Sequence, residues 1–91
     1  MACRIEIETL SEGEFSVRLI DEGSESSHRV TLNAEHYNRL TRGKIEPQEL
    51  VRRSFQFLLE RESKESILGK FDLQAIARYF PEYEREMKRR L

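Results

Sequence analysis

The chain has 91 residues, 36% of them charged and 37% hydrophobic, with a formal charge of −1. That length allows one domain, residues 1–91. The composition is too hydrophobic for a disordered chain and too charged for a membrane protein, and no apolar run approaches the roughly 18 residues of a membrane span. Arg4 and Glu6 interrupt any apolar core of an N-terminal signal, and one cysteine, Cys3, excludes an internal disulfide framework. A cytoplasmic location is expected.

Charge is unevenly spread. Residues 1–32 carry three basic and seven acidic side chains, and residues 33–91 carry thirteen and ten. A domain that holds a phosphate backbone usually shows a clear basic excess, which this chain lacks.

Residues 4–10 alternate, with Ile5 and Ile7 to one face and Glu6 and Glu8 to the other. Residues 14–20 do the same, with Phe15, Val17 and Leu19 inward. Such alternation predicts strands with one wet face. Ser11-Glu12-Gly13 joins them at hairpin length, and Gly13 supplies a positive φ. Residues 21–27 are polar throughout and read as a mobile loop. Residues 28–32 alternate again, with Val30 and Leu32 inward. The expected sheet is a three-stranded antiparallel meander over residues 4–32, and the helical part covers residues 33–91.

Asn33 caps a short helix whose inward residues are Tyr37 and Leu40. Gly43 closes it as the left-handed residue after the cap, with Ile45 folding back. Residues 47–62 form the central helix, opened by Pro47 at its first turn. Its apolar positions Leu50, Val51, Phe55, Phe57, Leu58 and Leu59 spread over roughly 200° of the circumference, against about 100° for a one-sided stripe. Such a helix needs cover on two sides: a sheet on one, and another helix or a second copy of the protein on the other. In residues 63–70, Ile67 and Leu68 read as a plug under a loop. Asp72 then caps a short helix with Leu73, Ile76, Ala77 and Phe80 inward. Pro81 ends it and starts a last helix, where Tyr83, Met87 and Leu91 recur every four residues. The basic end of that helix, with Arg85, Lys88, Arg89 and Arg90, is laced with Glu82, Glu84 and Glu86 and reads as a solvated face.

Cys3, His28 and His36 are the only thiol and imidazole donors. They lie on different elements without the paired spacing of a zinc site, so no metal ligand is expected. A nucleophile with its base and orienting group is not apparent, because strand two separates Cys3 from His28 in a meander. No glycine-rich phosphate cradle is present, and neither cofactor nor catalytic residue is expected.

Residues 28–62, one strand, a short helix, a turn and a longer helix, resemble a ribbon-helix-helix unit. In that family two chains pair their strands into a ribbon that enters the major groove. The resemblance implies Arg29, Thr31 and Asn33 as residues facing bases, with Lys44 and the start of the central helix near phosphates. Residues 51–87 are similar to short bacterial proteins of unassigned function, through SFQFLLERE, ESIL, FDL and RYFPEYE. That similarity implies a compact bacterial cytoplasmic domain and transfers no active residue.

The combined expectation is an α+β, non-enzymatic protein-interaction module, associating as a homodimer or with a protein partner. Phe55, Leu59, Tyr83, Met87 and Leu91 are the expected contacts. A ribbon-helix-helix-like DNA-binding regulator is the alternative.

Overall fold

The computed structural model describes residues 3–90. Among these residues the fold is mixed α and β, a four-stranded sheet with four α-helices and two short 3-10 turns. In chain order the elements are β1 (Arg4–Ser11), β2 (Glu14–Asp21), β3 (Ser24–Thr31), α1 (Ala34–Thr41), α2 (Pro47–Arg61), β4 (Lys70–Asp72), α3 (Ile76–Tyr79) and α4 (Tyr83–Arg89). The sheet order is β1-β2-β3-β4. The first three strands pair antiparallel, and β4 joins the far edge in parallel, with Val30 opposite Phe71.

The period of two decides the two faces of the sheet. Phe15, Val17, Leu19 and Val30 point into the core. Glu6, Arg18 and Glu25 face water and pair with one another across β1, β2 and β3, at 3.3 Å for Arg18–Glu6 and 2.9 Å for Arg18–Glu25. At the first hairpin Gly13 has φ +76°, and a Cβ there would come within 3.0 Å of the Leu32 carbonyl oxygen. That close approach and the backbone sign both demand glycine.

Three sequence expectations need correction. The sheet has a fourth strand, which three residues with one apolar side chain cannot announce. Residues 21–27 are a tight turn at Glu22-Gly23 followed by the first half of β3, not a loop. Their small polar side chains suit a strand on an open face, and backbone pairing with β2 supplies the order that hydropathy does not reveal. At the end of α1, Gly43 is left-handed with φ 75°, as expected of the residue after the cap, and the cap itself, Arg42, is left-handed too, with φ 52°. Leu68 does not plug the core; it is 50% exposed.

The wide apolar girth of α2 is covered on both sides. Phe55 and Phe57 are each 0% exposed, although two positions in a helix lie about 200° apart. Phe55 meets Phe71 and His28, with ring centroids 6.0 Å and 5.6 Å away. Phe57 meets Phe80 and Tyr83 on the opposite side, at 5.9 Å and 5.4 Å. The second layer is therefore this chain's own α3–α4 segment, not another copy. The expected partner contacts are corrected accordingly: Phe55, Tyr83 and Met87 are core residues with no surface to offer. Leu59 is half-buried against the same core, and Leu91 lies outside the described residues.

One polar pair sits inside this packing. The Tyr83 hydroxyl lies 2.7 Å from Ser54 Oγ, which itself donates to the Leu50 carbonyl at 2.8 Å. Tyr83 therefore donates and Ser54 accepts. Burial pushes the Tyr83 pKa well above its ordinary value, so the donor keeps its proton. Ser54→Ala strands a buried hydroxyl and should lower stability by about 1–3 kcal/mol. Tyr83→Phe leaves Ser54 still bonded to Leu50 and should cost only about 1 kcal/mol. Urea unfolding of both variants tests this order; a larger loss for Tyr83→Phe contradicts it.

Candidate functional site: an apolar groove at the end of the central helix

Tyr79, at 68%, and Leu68 are the two most exposed large apolar side chains among the described residues, and they line the same groove. The groove has a volume of about 320 Å³. Leu58 and Glu62, at the end of α2, line it together with Phe71 and Phe80. Stacking fixes the two phenylalanines, because Phe71 packs against Phe55 and Phe80 sits edge-on to Phe57.

Strand β3 positions the groove's rim. His28 Nδ1 lies 2.7 Å from the Leu68 carbonyl oxygen, which can only accept, so the ring donates there. Its other nitrogen, Nε2, is 2.8 Å from Ser26 Oγ and accepts from it when the ring is neutral. One residue on, the Arg29 amide donates to the Gly69 carbonyl at 2.8 Å. Thr31 Oγ1 donates to Asp72 at 2.8 Å, and Asp72 accepts the Gln74 amide at 2.9 Å, starting the turn that leads into α3. A single strand thus pins the segment from Leu68 to Gln74.

The polar groups lining the groove are Glu62, Ser66 and the Tyr79 hydroxyl, among mostly apolar neighbours. Such a surface suits apolar burial more than proton transfer. Among the described residues, no three His, Cys, Asp or Glu side chains converge as metal ligands. Cys3 immediately precedes β1, and β2 separates that strand from His28 on β3. No helix among the described residues is long and apolar enough to cross a membrane.

The residues marked for DNA contact are dispersed. Arg29 is on the water-facing side of the sheet, 3.7 Å from Glu14. Thr31 is engaged with Asp72, and Asn33 Oδ1 accepts the Glu35 and His36 amides as the cap of α1. Lys44 lies elsewhere, in a pocket with Arg39, Arg42 and Lys88. Strand β3 pairs with β2 along its length and with β4 over Arg29–Thr31, so a ribbon shared by two chains would have to displace one of them. Sequence reasoning missed Tyr79 and Leu68 as a surface pair. The one available signal was that Tyr79 falls outside the inward set Leu73, Ile76, Ala77 and Phe80. Comparison of the chain with family models, curated proteins and solved structures returns no match.

His36 was also missed as an inward residue. It is 1% exposed, and neither ring nitrogen has a hydrogen-bond partner within the chain. Burial lowers its pKa and Arg39 lowers it further, while Glu84, 3.9 Å away, and Asp72 pull it upward. The unfolded chain takes up a proton here near pH 6.5 and the folded chain does so only at lower pH. Stability should therefore fall as pH drops below about 6.5, by up to ~1.4 kcal/mol per pH unit, until folded His36 titrates. Melting temperatures of the wild type and His36→Leu at neutral and mildly acid pH test this. The wild type should lose more on acidification; equal losses would place the acid sensitivity elsewhere.

Proposed function

We propose that this protein is a non-enzymatic interaction module that self-associates through the groove at the end of α2. One observation carries the reading: the most exposed aromatic, Tyr79, stands on the rim of an apolar hollow beside exposed Leu68. A patch holding both a protrusion and a recess is self-complementary under a twofold axis, the commonest symmetry of small oligomers. Each copy then places its Tyr79 in the other's groove.

Magnitudes set the expected strength. Burying a large apolar side chain is worth about 1.5–3 kcal/mol, and two from each copy give roughly 6–12 kcal/mol. Association costs about 4–15 kcal/mol in lost freedom. With the association cost at the low end of that range, the balance is a weak dimer, with a dissociation constant of about micromolar to millimolar. The earlier reason for expecting a dimer, an undercovered α2, no longer applies, because the chain covers that helix itself.

Sedimentation velocity over roughly 10 µM to 1 mM, spanning that range, should show a concentration-dependent shift toward dimer. Tyr79→Ser and Leu68→Ser should abolish the shift while changing stability by no more than about 0.5 kcal/mol, as exposed positions do. A wild type that stays monomeric throughout, or variants that associate as well as the wild type, would refute self-association here.

A further inference from the structure

We infer that the pocket between the end of α1 and α4, lined by Arg39, Arg42, Lys44 and Lys88, binds a phosphate group. It is separate from the apolar groove and does not depend on the reading given to it. Four cationic side chains reach this pocket from different places: the last turn of α1, its left-handed end, the connection to α2, and α4. Leu40 and Thr41 complete the lining.

The charge there is not balanced locally. Among the described residues the one carboxylate within ion-pair distance of these four cations is Glu84, 2.7 Å from Arg39. The end of α1 contributes about half a negative charge from its dipole. Helix capping therefore accounts for a fraction of the positive charge, and among the described residues the rest has no carboxylate within ion-pair distance. All four residues are exposed, so an anion drawn by their shared positive field can reach them.

Backbone geometry gives a second, independent observation. Arg42 is the one non-glycine residue with positive φ among the described residues. The glycine usual after a helix cap is in place, at Gly43. Arg42 before it is a second left-handed residue, and its side chain lines the pocket.

The ligand class follows from what remains free. The amides of Arg42, Gly43 and Lys44 are already used, by the Asn38 carbonyl, Thr41 Oγ1 and the Thr41 carbonyl. Recognition falls to the side chains, and guanidinium forks match the oxygens of a phosphate. A phosphate monoester carries about −1.5 to −2 charge, closer to the local surplus than a carboxylate. The pocket volume, about 200 Å³, is below the ~300 Å³ at which sites for whole small molecules begin. It fits the group and its waters, while the rest of the molecule stays outside.

The test is a nitrogen-15 NMR titration of the full chain with sodium pyrophosphate at constant ionic strength, with sodium acetate as control. Saturable shifts should appear at residues 39–44 and at Lys88, and acetate should not reproduce them. Arg42→Gly with Lys44→Gln suits the same backbone and should weaken binding at least about tenfold, roughly 1.4 kcal/mol, with sheet amides unmoved. Tyr79→Ser should bind normally. Once saturation is seen, displacement by phosphatidic acid vesicles, whose headgroup is a phosphate monoester, assigns the phosphate to a lipid surface, and failure to displace assigns it to a soluble phosphorylated molecule. Absence of saturation, equal shifts with acetate, or unchanged binding by the double variant overturns the inference.

Discussion

The structure depends on burying one helix from two opposite directions. Phe55 and Phe57 sit on opposite sides of α2, and each is fully shielded. A sheet alone reaches only one of them. The second layer, from Phe80 and Tyr83, is what α3 and α4 provide. Without that layer Phe57 would face water beside the Arg61 guanidinium, which stacks 3.7 Å from its ring centre. The rear third of the chain is thus a lid on α2, and its short elements form because they have that apolar surface to cover. Elements as short as α3 have little stability of their own.

Such a lid must be fastened at a defined height, and β3 does this. Its inward His28 and the following backbone hold the chain at Leu68 and Gly69, so β4 starts in register and Phe71 lands against Phe55. Fixing Phe71 fixes one wall of the groove, and fixing the Leu68 carbonyl sends its side chain outward. The exposed rim therefore follows from how the core is closed. A histidine suits this position because its two nitrogens can satisfy Leu68 and Ser26 at once, while its ring packs against Phe55.

Elements whose order comes from side-chain burial were legible in the sequence. The period of two in β1 and β2, the cap at Asn33, the proline start of α2 and the inward set Leu73, Ile76, Ala77 and Phe80 all follow from hydropathy spacing and capping chemistry. Elements whose order comes from backbone pairing were not. Ser24–Ser27 and Lys70–Asp72 are strands because a neighbouring strand is present, and their own side chains say little. The candidate sites fared worse for a related reason. Spacing along α2 and α4 identifies Phe55, Tyr83 and Met87 as apolar and aligned, but not whether the cover comes from the same chain. Lys44 was singled out alone, and it takes the αL turn at Arg42 and the approach of α4 to bring three more cations beside it.

A division of labour follows. The residues that hold the fold, such as Phe55, Phe57, Ser54 and Tyr83, are shielded and satisfied within the chain. The features left unspent by folding lie apart from them: an exposed aromatic over a hollow at the end of α2, and converging cations at the turn that leads into it. Tyr79, Leu68, Arg42 and Lys44 add little to the core, so their identities are not fixed by packing. Arg42 even works against the local backbone preference. A small chain has few residues free of structural duty, since a large share of its side chains must build a thin core. Side chains that stay apolar in water, or cationic with few carboxylates at hand, are the ones on which the proposed contacts rest.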